Sequence, residues 1–158
     1  MNSTDNPLNP DSCANNGEPL DGVTIPMEHM AGEPCLPNNI VLESTLEQLV
    51  KDTSAQLVTE LIGFYLEDTR ARLLIIELAL KQRDRETLEF EVHTLGSTAA
   101  AHGNQWLCDV CRDIEAKCLS HHTEEAMALA QALPGIVEVS LDKLTQRAAA
   151  GFRDTHPT

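Results

Sequence analysis

The sequence predicts an all-α fold, an antiparallel four-helix bundle with a short extra N-terminal helix and a disordered N-terminal tail. Three observations carry the prediction. From residue 41 onward, apolar residues recur at helical spacing. No stretch alternates apolar and polar residues with the period of two that marks a sheet. Pro134 is the only proline between residues 41 and 150, whereas Pro7, Pro10, Pro19, Pro26, Pro34 and Pro37 crowd the first forty positions.

The elements follow in chain order. Residues 1–40, rich in Pro, Asn, Asp, Ser and Gly, lack the apolar surface to offset their ordering entropy and form a tail or linker. Val41–Lys51 is a short first helix, and Thr53 or Ser54 caps the next. That second helix is long, with a bend expected near Glu67. Its apolar positions are Leu57, Leu61, Phe64, Tyr65, Leu73, Leu74, Ile76, Leu78 and Leu80. Asp84 caps a third helix that runs from about Arg85 to His102, where Gly103 supplies the left-handed residue of a helix end. The fourth helix, Asn104 to about Leu119, puts Leu107, Val110, Cys111, Ile114 and Cys118 on one face. Beyond Ser120, Leu129, Leu133, Ile136, Val137, Leu141, Leu144 and Ala148 repeat the pattern, and Pro134 kinks the helix or starts a second piece. The bundle spans 41–150, and 151–158 is a short C-terminal tail.

Composition narrows the function. The chain has 158 residues, 42% of them apolar, which suits one core. Eleven Lys and Arg stand against 25 Asp and Glu, a net charge of −14. Such a surface neither neutralises nucleic-acid phosphates nor adheres to an anionic membrane. No apolar run approaches the roughly 18–20 residues that span a bilayer, and MNSTDNPLNP lacks the order of a signal peptide, which points to the cytoplasm. The five cysteines, Cys13, Cys35, Cys108, Cys111 and Cys118, are odd in number and suit reduced thiols.

One helix departs from a plain bundle. At about 100° per residue, Leu88, Val92, Leu95, Ala99 and His102 of the third helix share one direction, and His93 falls about 140° away, in water with both ring nitrogens accessible. Glu86, Glu89 and Phe90 precede His93 on this outer face, and Gly96, Ser97, Ala100 and Ala101 follow it. Small residues beside an exposed Phe90 suit the close docking of another protein. An exposed histidine is most often only a solvated side chain. A neutral imidazole is nevertheless a nucleophile near pH 7, and a phosphoryl acceptor needs only access and in-line approach.

The stretch HTLGSTAAAHGNQWLCDVCRDIE, His93 to Glu115, resembles the signature of histidine-containing phosphotransfer domains, the four-helix modules of bacterial multistep phosphorelays. His93 matches the phosphorylated histidine, Leu95 the following apolar position, Thr98 and Ala99 the small pair, and Gly103 the glycine ten residues on. Leu107, Cys111, Ile114 and Glu115 match the next helix. ELIGFYLEDTRARLLIIELALKQRDRETLEFEVHTL is similar to the preceding hairpin, so the likeness covers about 41–148. Gly96 stands where lysine is usual and Ser97 where glycine is usual. Aligning Gly96 with the family glycine would move Gly103 off its cap, so the ungapped match is preferred.

The resemblance implies a phosphocarrier without ATP-dependent kinase activity, consistent with the lack of a glycine-rich nucleotide loop. It implies His93 as phosphoacceptor, Gly96, Ser97 and Glu89 around the phosphoryl group, with Ser97 able to donate to it, and Phe90, Ala100 and Ala101 as docking surface. The implied partners are response-regulator receiver domains that bring their own Mg²⁺, and an upstream hybrid histidine kinase. This chain binds no cofactor or metal of its own and is expected to be monomeric. It either stands alone or forms the C-terminal module of a sensor kinase tethered to the inner membrane. A docking module of the same shape that carries no phosphate is the alternative.

Other signals have plainer readings. Cys108-x-x-Cys111 follows no strand and has no second pair, and helical spacing puts Cys111 on the core stripe and Cys108 about 100° from Leu107, so neither a metal nor a redox role is expected. His121 and His122 are turn residues, His102 a helix-end histidine bonding to carbonyls, and Trp106 a flank of the fourth helix. The charge run DRETLEFE is a solvated face whose place beside His93 bears on partner choice.

Overall fold

The computed structural model describes residues 36–153; the predicted tail up to residue 35, with Cys13 and Cys35, and residues 154–158 lie outside the described residues. Among the described residues the chain forms α1 (Glu43–Asp52), α2 (Ala55–Gln82), α3 (Arg85–Ala101), α4 (Gln105–Leu119), α5 (Thr123–Ala130) and α6 (Leu133–Ala149), with no strand. Loops of a few residues turn each long helix back on its predecessor, giving an antiparallel bundle of α2, α3, α4 and the α5–α6 pair. Ile40, in the last position of the expected tail, is buried.

Local chemistry sets the boundaries. The Ser54 side chain accepts the Leu57 N–H at 3.2 Å, opening α2. Arg83 closes that helix at φ 55°, a left-handed C-cap whose N–H donates to the Ala79 and Leu80 carbonyls. Asp84 follows at once, accepting the Thr87 N–H at 3.1 Å and the Thr87 hydroxyl at 2.6 Å, so only Arg83 and Asp84 separate α2 from α3. Gly103, at φ 69°, ends the α3 turn, and its carbonyl accepts the Leu42 N–H at 2.7 Å, which ties the approach to α1 onto the α3–α4 corner. Pro134 starts a second helical piece rather than kinking a continuous one, because its fixed φ and missing donor fit the first turn of α6.

The core joins Leu88, Val92, Leu95 and Ala99 of α3 to Leu107, Cys111, Ile114 and Cys118 of α4, all fully buried, with Ile136, Val137, Leu141 and Leu144 of α6 packed in the same cluster. Burying each large aliphatic side chain contributes roughly 1.5–3 kcal/mol. The face predicted for α2 requires correction. The helix is unbroken through Glu67 and buries Val58, Ile62, Tyr65, Thr69, Ile76 and Ala79, while Leu57, Phe64, Leu74 and Leu78 are exposed, Phe64 to 69%. Apolar residues lie all round this helix, so periodicity alone does not choose which side its neighbours cover.

Two polar links fix α2 against the site-bearing helix. Arg72 reaches from α2 to the buried Glu91 carboxylate at 3.0 Å and to Asp68 at 2.7 Å. Tyr65 stacks on His102, with ring centroids 4.5 Å apart, and its hydroxyl accepts from the buried Asn104 amide at 3.2 Å.

Candidate functional site

The buried stripe of α3 turns His93 outward. Its side chain is 56% exposed, whereas Val92, one residue earlier, is sealed in the core. The same packing presents a partner from α4. Ile114 and Cys118 are buried, which leaves Glu115 at the edge of the helix pair with its Oε1 2.6 Å from His93 Nδ1. A carboxylate accepts and does not donate, so Nδ1 carries the proton; in the neutral ring the lone pair is then on Nε2. Nε2 has no hydrogen-bond partner among the described residues. The expectation that both ring nitrogens are accessible is thereby corrected, because Nδ1 is held by Glu115.

His93 and Glu115 line an open cleft with Arg85, Glu86, Glu89 and Phe90. Glu89 is paired with Arg85 at 2.7 Å, which reduces the like charge beside the imidazole, and Arg85 also donates to the Cys118 carbonyl at 3.2 Å. Phe90 is 64% exposed at the rim, and Ala100 and Ala101 are exposed about three turns further along α3.

Two expected neighbours take other positions. Gly96 is buried rather than outward: a Cβ there would meet the Cys111 Cβ at 3.0 Å, so α4 lies against the α3 backbone at this level. Gly96 lies 80° from the centre of the core stripe by helical geometry, and α4 covers that flank. The Ser97 hydroxyl donates back to the His93 carbonyl at 2.9 Å, so it is engaged by its own helix instead of awaiting a phosphoryl oxygen.

Sequence reasoning missed the contact made by Glu115 and the place of Arg112, whose Nη1 lies 3.4 Å from Glu115 Oε2. A signal was present. His93 and Glu115 lie at nearly equal chain distances on either side of the Gly103 turn, and such residues face one another in an antiparallel helical hairpin.

The remaining candidates have structural settings. Cys108, Cys111 and Cys118 are free and buried, and burial pushes the Cys111 thiol up to about 12. His102 Nδ1 donates to the Thr98 carbonyl at 2.8 Å, and His122 Nδ1 lies 3.0 Å from the Ser120 hydroxyl. Trp106 packs, half-buried, against the core. Among the described residues, no helix is long and apolar enough to cross a membrane.

Fold and site together define a class, a helical bundle that presents one oriented imidazole from the middle of a rigid helix. The sequence model of the family described as Hpt domain matches residues 60–151, and the chain belongs to that family. In structure it is similar to histidine-containing phosphotransfer protein B (HptB) from Pseudomonas aeruginosa PAO1, with a TM-score of 0.65 and 17% identity over 74% of this chain and 100% of that one. At that identity the likeness speaks for the fold. No curated protein matches significantly.

Proposed function

We propose that this protein relays a phosphoryl group between receiver-domain aspartates through a phosphohistidine at His93. Family membership supports the relay, and the observation that carries the assignment to His93 is its geometry: Nδ1 is held at 2.6 Å by Glu115 while the ring stays exposed. In this reading the Nε2 lone pair attacks phosphorus in line. The N–P bond forms as the O–P bond of the aspartyl phosphate breaks, and the electron pair of that bond returns to the aspartate carboxylate. The Nδ1 proton stays in place, so the ring becomes a phosphoimidazolium whose positive charge lies against Glu115. Transfer onward is the reverse of this step at a second receiver.

The protein then acts as a phosphocarrier, not as an ATP-dependent kinase, and Mg²⁺ is supplied by the receiver. Phe90, Ala100 and Ala101 form part of the surface on which that partner docks, and Glu89 and Gly96 border the phosphoryl site. The same chemistry implies work in the cytoplasm.

Incubation with a phosphorylated receiver tests the reading. Acid-labile phosphate is expected on the wild-type chain and none on His93→Gln. Undiminished labelling of the substituted protein removes His93 from the role. Receiver binding without labelling of either protein identifies a docking module instead.

A further inference from the structure

We propose that Arg112 is the phosphoryl-binding cation of this site, reaching from α4 across the bare backbone of Gly96; the proposal rests on His93 as the phosphoacceptor. A phosphoryl group brings about two negative charges to Nε2. It arrives where Glu86, Glu89 and Glu115 already line the cleft, on a chain of net charge −14. Two cations stand near. Arg85 is committed, its Nη1 donating both to Glu89 at 2.7 Å and to the Cys118 carbonyl at 3.2 Å. Arg112 makes one long contact, 3.4 Å to Glu115, and its side chain is 50% exposed, so its fork keeps donors to spare.

Arg112 lies beside α3 at Gly96. The Arg112 Nε lies 3.8 Å from the point a Cβ at residue 96 would occupy, so the Arg112 side chain runs alongside the α3 backbone at Gly96, three residues on from His93. The Cβ of a lysine at 96 would stand 3.0 Å from the Cys111 Cβ, so α3 and α4 would have to give way to admit it. In this proposal the positive charge comes from the facing helix. Before phosphorylation Arg112 rests against Glu115. Afterwards the phosphoimidazolium ring draws on the Glu115 carboxylate, and the guanidinium turns to the phosphoryl oxygens, a charge-assisted pair with planar geometry suited to it.

Phosphoramidate tests this on the full chain without a partner protein: its phosphoryl group passes to Nε2 as the N–P bond of the reagent breaks and ammonia leaves. Labelling of His93, taken as the difference from His93→Gln, is expected to slow by about threefold to tenfold in Arg112→Ala, with most of the rate kept in Arg112→Lys. The ³¹P titration of the phosphoryl group should move to higher pH in Arg112→Ala, because a nearby cation favours the dianion. Wild-type rate and an unmoved ³¹P titration in Arg112→Ala overturn the proposal. So does loss of the effect when Arg112→Ala is made on Glu115→Gln, since Arg112 would then act only by holding Glu115. Labelling of His93→Gln that equals the wild type is a separate failure, that of the underlying reading.

Discussion

Gly96 and Cys111 bring α3 and α4 so close that a Cβ on the first would stand 3.0 Å from the Cβ of the second. Both positions are buried, and the neighbour is fixed to a helix backbone rather than being the end of a flexible chain. In Gly96→Ala two effects oppose. Helix propensity favours alanine by about 1 kcal/mol, and overpacking a tight core costs about 1–3 kcal/mol. Overpacking is expected to win, lowering stability by about 1 kcal/mol. Urea unfolding measures it, and a midpoint equal to or above that of the wild type contradicts the close approach.

Glu115 fixes the His93 tautomer through its 2.6 Å contact with Nδ1. Glu115→Ala removes the acceptor, and the neutral ring is then free to place its proton on Nε2, where it blocks attack. Nitrogen-15 spectra of the imidazole should show the Nδ1–H form dominant in the wild type and a mixture in the variant. Phosphoryl transfer is expected to slow by about tenfold to a hundredfold. Glu115→Gln, whose amide oxygen can still accept, should fall between. Identical tautomer ratios in all three proteins would show that the carboxylate does not orient the ring.

The helix ends and the α3 stripe were legible in the sequence because they depend on short-range chemistry: Ser54 and Asp84 cap, Gly103 takes a positive φ, and Leu88 to Ala99 keep one face. The outward direction of His93 follows from that stripe. What local pattern could not supply is the relation between helices. Gly96 lies at the margin of the stripe, and only the position of α4 decides whether such a residue meets solvent or Cys111. The exposed Phe64 and Leu74 of α2 illustrate the same point, since a helix with apolar residues on all its sides leaves the choice of buried face to its neighbours. Glu115 was recognisable by position in the motif, yet its contact needed the register of the α3–α4 hairpin.

Gly103 joins the α3–α4 corner to the start of α1. Its φ of 69° disfavours any side chain, and a Cβ would approach the Leu42 carbonyl oxygen to 2.9 Å. Gly103→Ala should therefore lower stability by about 1–3 kcal/mol through backbone strain and that collision. The Leu42 N–H, which donates to the Gly103 carbonyl at 2.7 Å, reports on it locally. Its hydrogen exchange is expected to accelerate more than that of amides in the middle of α4. Equal acceleration everywhere would mean that the corner unfolds only with the whole domain.

Burial raises both the Cys111 thiol, up to about 12 from 9.0, and the Cys118 thiol. The sign of the consequence follows from proton binding. Above about pH 9 the unfolded chain releases these protons while the folded chain keeps them, so stability is fully present below pH 9 and falls as pH rises toward 12. Tyr65, raised by burial as well, acts in the same direction at higher pH. Cys111→Ala should unfold at lower urea throughout, having lost a packed sulfur, but its stability should decline less steeply between pH 9 and pH 10.5 than that of the wild type. Because the thiolate is the reactive form, alkylation of Cys111 and Cys118 by iodoacetamide at pH 7.5 should be slow in the folded protein and follow unfolding across a urea series. Rapid modification of Cys111 in the native state, located by peptide mass, would contradict a sealed α3–α4 interface and with it the packing that turns His93 outward.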